Sequence, residues 1–409
     1  MKKALVLAGG FPQIELIKNL KSRGYTVVLA DYLENPVAKK YADIFYREST
    51  LNIEGITNIA QKENVDFLIT VCTDQALLTV AKVSKILNLP CYIDYKTALN
   101  CTNKSYMKDV FYKNEIPTSK YYCGESLQEI DIENLQYPLI VKPVDCNSSK
   151  GVKKVYTQED LQKAFNNAVQ LSRTKTAIVE EYVCGRELTI DVYVENGKAK
   201  VLAVSESEKI ANDNKFVIFR TVYPVQIPTF TQKMIEETAQ KIADSFGIKD
   251  APMLIQTIFD GEKIFVLEFS VRTGGGVKFL HIKRITGFDV INSVIELTLK
   301  NKPTYERSQR EEVYLINDFV YCKEGIFDHL QGFEQLKEDG IILDYYLFKQ
   351  KGAIMDKVES SGDRICGFTV TGKTKQELKE KHDIARGKIA VISTSGQDIL
   401  RHDLLTDLN

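Results

Sequence analysis

The sequence predicts an α/β unit built on a parallel sheet, followed by a larger α+β part of shorter strands and antiparallel hairpins. Three observations carry that reading. The first ninety-odd residues alternate short continuous apolar runs with amphipathic stretches, the pattern of parallel strands covered by helices on both faces. From about Asp94 the strands shorten, and Asn196-Gly197 and Asp260-Gly261 mark hairpin turns. At 409 residues and 44% hydrophobic content, the chain is too long for one ordinary domain and apolar enough for several cores.

In order, Lys3–Ala8 reads as a first strand ending at Gly9-Gly10. A helix follows, with Ile14, Ile17 and Leu20 on one face, Pro12 in its first turn and Gly24 after its end. Val27–Ala30, ending in Asp31, is the second strand, Ile53–Lys62 a helix, and Phe67–Val71 a further buried strand. Asn88-Leu89-Pro90 closes the unit. Asn103–Asn114 is a helix leading to Ile116-Pro117, and Leu139–Lys142, Val152–Tyr156 and Ala177–Val183 are short strands. The hairpins pair Leu188–Val194 with Ala199–Val204 and Met253–Phe259 with Ile264–Phe269; Thr231–Phe246 is the helix between them. Tyr314–Thr371 mixes strands, and Lys375–Val391 reads as a terminal helix.

Lys+Arg total 54 against Asp+Glu 55, a balance that excludes the basic footprint of a general nucleic-acid binder while allowing a local phosphate site. The eight cysteines form no C-x-x-C pair and read as reduced thiols. The first ten residues have a superficial likeness to a signal peptide. The apolar run stops at Gly9-Gly10, however, Glu15 follows, and no apolar stretch approaches about 18 residues. A soluble, cytoplasmic protein is expected, with no membrane partner.

Several clusters carry chemistry. Asp31 stands about twenty residues after Gly10, where a dinucleotide-binding carboxylate would be. The full G-x-G-x-x-G is absent, so an NAD-binding oxidoreductase is the weaker reading, and a glycine turn at a helix N-terminus the stronger. Lys142 ends an otherwise apolar strand; it is either an edge charge or a cation that awaits a phosphate, because a buried ammonium needs a partner. Asn147-Ser148-Ser149-Lys150-Gly151-Val152 is either an ordinary hairpin loop or a source of N–H groups and hydroxyls for phosphate oxygens. Glu180-Glu181-Tyr182-Val183 with Gly185-Arg186-Glu187 is a solvated turn or an adenine slot, with Glu187 toward the ribose. Glu268, Ser270 and Arg272 alternate on one strand face, opposite Gln256 on the partner strand. Oxygen donors of this kind suit Mg²⁺ shared with nucleotide phosphates, although alternating polar residues also describe any half-exposed strand. Gly274-Gly275-Gly276 lets backbone approach a ligand closely. The four histidines are dispersed, and no covalent nucleophile is assigned.

Taken in order, these pieces resemble the ATP-grasp superfamily, the carboxylate–amine ligases that include carbamoyl-phosphate synthase, biotin carboxylase and the D-alanine ligase type. The resemblance runs through Ala8-Gly9-Gly10, Ala30-Asp31, Asn35-Pro36, Ala42-Asp43, Asn103-Lys104, Ile116-Pro117, Lys142-Pro143 and the Ser148–Val152 loop. It continues in Glu180–Val183, Gly185–Glu187, Glu268-x-Ser270-x-Arg272, Gly287-Phe288-Asp289, Gly362–Ile365 and Gly372–Glu377. Each motif alone is weak; order and spacing together are specific.

The resemblance implies a Rossmann-like pre-ATP-grasp domain at 1–95, an ATP-grasp nucleotide-binding domain at 96–300 and a C-terminal lobe completing it at 301–409. It places Lys104 and Lys142 on the ATP phosphates, with Ser148, Ser149 and Gly151 as the closing loop. Glu180 and Val183 would border adenine, and Glu187 the ribose. Gln256 and Glu268 would be the Mg²⁺ positions, and Arg272 the catalytic stabiliser of the transferred phosphoryl. Ser270 stands where the family usually has Asn, a weaker donor for a second Mg²⁺. The implied reaction joins a small-molecule carboxylate to an amine through an acyl phosphate, with a homodimer an open assembly. The rival from another class is an ATP-binding, non-catalytic or regulatory ATP-grasp protein.

Overall fold

The computed structural model describes residues 2–146, 149–210, 216–306, 308 and 313–408. Its N-terminal unit is a parallel sheet in the order Ile44–Arg47, Thr26–Asp31, Lys3–Leu7, Phe67–Ile69, with helices Phe11–Ser22, Ile53–Glu63 and Asp74–Leu87. Strand residues alternate between two cores. Leu5, Leu7, Val28 and Ala30 meet Ile56, Ala76 and Val80, whereas Ala4, Val6, Val27 and Leu29 meet Leu16, Ile17 and Leu20. That burial on both faces explains the unbroken apolar strands. The carboxylate of Asp31 accepts from Gly9 N (2.6 Å) and Leu33 N (2.7 Å). The residue that a dinucleotide reading would place on a ribose instead ties the glycine turn to the second strand.

Three antiparallel sheets follow; one is the three-stranded sheet Ile354–Met355, Gly325–Gln331, Ala390–Ser393, and the other two frame the site. The smaller has the order Tyr121–Gly124, Ala177–Glu181, Leu139–Pro143, Lys153–Val155 and is backed by helix Gln158–Leu171. The larger has eight strands, in the order Ile264–Ser270, Ala251–Phe259, Arg186–Glu195, Lys198–Lys209, Ile218–Tyr223, Tyr314–Val320, Cys366–Gly372, Asp344–Leu347. On one face Leu188, Ile190 and Val192 pack with Met253, Ile255, Val266 and Phe269 against helix Thr229–Ser245. The other face carries Glu187, Thr189 and Asp191, a consequence of the two-residue period of a strand. Both expected hairpins form, and Ala251–Phe259 also pairs with Arg186–Glu195.

Two details differ from the sequence reading. The strand bearing Glu268 and Ser270 ends at Ser270, so Arg272 extends from the bend beyond it. The terminal helix stops at Lys388, and Ala390–Ser393 becomes a strand paired with Gly325–Gln331. Ile389 takes an extended ψ of 145°, and the apolar run that follows buries Val391 in a sheet. No helix among the described residues is long and apolar enough to cross a membrane, and all eight cysteines are free thiols.

The C-terminal strands join the large sheet through a buried ion pair. Arg220 and Asp318 face each other across Ile218–Tyr223 and Tyr314–Val320, and both side chains are wholly buried. Arg220 donates to both Asp318 oxygens (2.6 and 3.0 Å) and to the carbonyl of Thr406 (2.8 Å); His382 Nε2 lies 2.8 Å from Asp318 Oδ2. Removing Asp318 leaves the buried Arg220 with only the longer contact to Glu208 (3.4 Å) as a counter-charge. Asp318→Ala should therefore cost about 3–5 kcal/mol of stability, measured by urea unfolding. Arg220→Met/Asp318→Leu should recover most of that loss; equal instability of the single and double variants would contradict this account.

Candidate active site

A cavity of about 420 Å³ opens between the two antiparallel sheets. The residues that line it come from separate parts of the chain for local reasons. Asn103 caps helix Lys104–Lys113 by accepting from Tyr106 N, which places Lys104 and Lys108 one turn apart on the same face. Lys142 and Glu180 lie diagonally across paired strands, Glu180 standing opposite Ile140. Glu268 and Gln256 are direct cross-strand partners.

At the cavity's base Glu180, 2% exposed, is held by Lys108 Nζ (2.8 Å) and by a close ion pair with Lys142, and Ser119 Oγ donates to it at 3.0 Å. Burial pushes Glu180 upward, yet the two ammoniums dominate and bring it down to about 2. Lys108 is shifted down, first by burial and further by the charge of Lys142. Lys142 is shifted up, because Glu180 and Glu268 outweigh its burial. Lys104 donates to Glu268 (3.0 Å) and to the carbonyl of Cys146 (2.8 Å). Burial raises Glu268, and Lys104 and Lys142 more than offset it, so its carboxyl stays ionised. Three ammoniums thus surround two carboxylates, a local excess of positive charge on a nearly neutral chain.

Glu187 forms an ion pair with Lys209 and accepts from Gln256 Nε2 (3.2 Å), which turns the Gln256 amide oxygen away from Glu187. Ser149, with φ of +62°, donates from Oγ to the carbonyl of Phe216 (2.9 Å) and lines the cavity with Val183. Ser148 lies outside the described residues. Gly151 is not a lining residue. Its φ of +78° makes the turn, and a Cβ there would stand 2.7 Å from Leu171 and 3.0 Å from Pro143.

Gln256 and Glu268 also border a second cavity of about 590 Å³, between the N-terminal unit and the C-terminal strands. Arg272 lines it, gripped by Asp74: Nε donates to Oδ1 at 2.7 Å and Nη2 forms a second, shorter bond. Asp74 is held below the usual carboxylate range because Arg272, with a smaller contribution from Ser270, outweighs its burial. The structure thus brings Lys104, Lys142, Ser149, Glu180, Val183, Glu187, Gln256 and Glu268 to one cavity and Arg272 to its neighbour, with Ser270 against Asp74.

Sequence reasoning missed Lys108, Asp74, Asp191 and Lys209. For Lys108 the four-residue step from Lys104 was a usable signal. For Asp191 and Lys209 the alternations Glu187-x-Thr189-x-Asp191 and Ser205-x-Ser207-x-Lys209 were available. Asp74 meets Arg272 across 198 positions, and no local pattern announces that contact.

Residues 135–279 match the ATP-grasp domain family, and residues 318–393 match L-amino acid ligase C-terminal domain 2. The chain therefore carries an ATP-grasp domain, as its motif order implied. It is 24% identical over 294 residues to a carbamoyl phosphate synthase large chain of Clostridium acetobutylicum, an alignment covering 69% of this chain and 27% of that one. The chain thus spans about a quarter of that relative's length. An L-amino acid ligase from Bacillus licheniformis superposes with a TM-score of 0.80 at 19% identity, covering 96% of this chain and 99% of the other. The biotin carboxylase domain of a Hydrogenobacter thermophilus 2-oxoglutarate carboxylase, solved with MgADP, gives 0.80 at 16%, covering 99% and 92%. These likenesses establish a shared fold, the α/β plus ATP-grasp architecture.

His281 borders the second cavity, with Nε2 3.1 Å from Thr369 Oγ1. Burial, then Lys278 and Arg284, lowers its pKa from 6.5 to about 3. Below 6.5 the unfolded chain takes up a proton that the folded protein refuses until about 3, so this residue's contribution is complete above 6.5 and is lost on acidification across that window. Denaturant titrations at stepped pH should show stability already falling just below 6.5, and His281→Gln should flatten that upper part of the slope. An unchanged slope would remove His281 as its source.

Proposed function

We propose that this protein is an ATP-dependent ligase that joins a carboxylate to an amine through an acyl phosphate, releasing ADP and phosphate. The observation that carries the reading is the junction of the two cavities. Lys104, Lys142 and the Glu268–Gln256 pair stand on the nucleotide side, and Arg272 on the other. A carboxylate oxygen attacks the γ-phosphorus as the bond to the β-phosphate oxygen breaks; the amine then attacks the acyl carbon and phosphate leaves. The protein's part is positioning and charge stabilisation.

In this reading Lys104 and Lys142 receive the phosphates, and the loop containing Ser148, Ser149 and Gly151 covers them. Val183 and the backbone at Glu180 border adenine, while Glu187 faces the ribose. The side chain of Glu180 has a further task, holding Lys142 in place. Arg272, already bound to a carboxylate in Asp74, suits the acyl phosphate by the same bidentate chemistry. Glu268 and Gln256 offer a carboxylate and an amide oxygen, donors that suit Mg²⁺. No group of three or more His, Cys, Asp or Glu able to hold a metal occurs among the described residues, so these two would hold the ion together with phosphate oxygens. When bound, it neutralises charge on the transferring phosphates. Ser270, engaged with Asp74, is at most a secondary donor.

The direct test is ADP release from Mg-ATP with pooled small carboxylates and amines, products being read by mass spectrometry. Nucleotide binding without ADP release under any pool would favour a non-catalytic protein. Lys142→Ala should weaken ATP binding by about one to two decades, the equivalent of a charge-assisted hydrogen bond of roughly 1.5–3 kcal/mol, measured by calorimetry on the folded variant. Glu268→Gln keeps the shape and removes the charge. Turnover should fall by orders of magnitude with little change in melting temperature, and survival of activity at ordinary Mg²⁺ would move the metal site elsewhere.

A further inference from the structure

The second cavity is bordered by three cations whose surroundings differ. Arg272 is gripped by Asp74, and Lys278 faces Asp191 at 3.7 Å. Arg364 meets only neutral acceptors among the described residues: Nε donates to Tyr321 Oη (3.0 Å) and Nη2 to the carbonyl of Ile218 (3.2 Å). Its guanidinium lies 3.6 Å from the centre of the Phe319 ring. A stacked, doubly hydrogen-bonded guanidinium is immobilised before any ligand arrives, and these bonds leave its Nη1 edge unused.

Gly276 shows where that edge points. Its φ is +66°, and a Cβ there would come within 3.0 Å of the Phe319 ring and 3.7 Å of Arg364 Nη1. The missing side chain lets the ring and guanidinium press against the turn that follows Arg272. Arg364 is held on the fifth strand of the large sheet, counted from the strand that bears Glu268. A molecule in this cavity therefore has one end near Glu268 and Arg272 and the other near an arginine that has no counter-ion among the described residues.

We propose that Arg364 binds an oxyanion, a carboxylate or phosphate group, carried by the amine substrate away from its reacting nitrogen. The second substrate is then an anionic amine rather than ammonia or a neutral amine. This rests on the ligase reading for the word amine; the oxyanion site itself rests on the geometry. Planar bidentate recognition is what a preorganised guanidinium offers a carboxylate or phosphate, and a partly buried cation gains from such a partner.

The test is ligand-induced thermal stabilisation of the full chain loaded with Mg-ADP, using matched probes. Pooled L-amino acids are compared with their amides, and O-phosphoethanolamine with ethanolamine, which separates the carboxylate source from the phosphate source. One anionic member should stabilise the wild type while its neutral counterpart does not. Arg364→Met should weaken that anionic binding about tenfold or more with ADP affinity unchanged, and Arg364→Lys should retain part of it. If Arg364→Met does not fold, Arg364→Gln takes its place. The proposal is overturned if neutral and anionic probes bind equally well, if the variant loses neither or both alike, or if no anionic probe stabilises the wild type. ADP release is followed in parallel. Its absence, with oxyanion binding intact, would sink the ligase reading and leave the Arg364 site standing.

Discussion

A carboxylate buried between two ammoniums organises this molecule. Glu180 stays ionised at 2% exposure because Lys108 and Lys142 flank it, and it is in turn the counter-charge of Lys108 and, with Glu268, of Lys142. Lys142 and Glu180 belong to the small sheet, whereas Lys108 belongs to the helix that begins at Lys104. The ion pairs therefore pin that helix to the small sheet, and the helical period then delivers Lys104 to Glu268 on the large sheet. One buried cluster thus sets the spacing between the two sheets and brings Lys104 and Lys142 to the cavity between them.

The large sheet supplies the rest through its two faces. One face is apolar and builds the main core with helix Thr229–Ser245; the other presents Glu187, Thr189, Gln256 and Glu268 toward the cavities. The floor of the site is rigid for the same reason that the core is stable, because each strand serves both. The N-terminal unit enters through Asp74, whose grip on Arg272 joins the start of its last helix to the bend after the Glu268 strand. On the opposite side Arg220 and Asp318 bring the C-terminal strands into the sheet, and Arg364 and Phe319 reach the second cavity from there.

The sequence by itself determined the broad order of the elements, both hairpins and many residues of the cavity between the two sheets. These features are local: periods of two and 3.6, Asx-Gly turns, and polar residues placed at the ends of apolar strands. Gln256 and Glu268 were read as a facing pair, and a register shift between Gln256 and Thr257 is what brings them opposite each other, since the turn alone would set Gln256 against Leu267. What only the tertiary structure decided is which charges meet. Asp31 looked available for a ribose and is occupied by Gly9, Ser270 also stands against Asp74, and the side chain of Glu180 also holds two lysines. The terminal helix gave way to a strand at Ala390 because its partner, Gly325–Gln331, lies some sixty residues earlier in the chain. Ion pairs and strand pairing act across space in a low-dielectric interior, between residues whose separation along the chain carries no periodic trace, and folding alone brings them within reach.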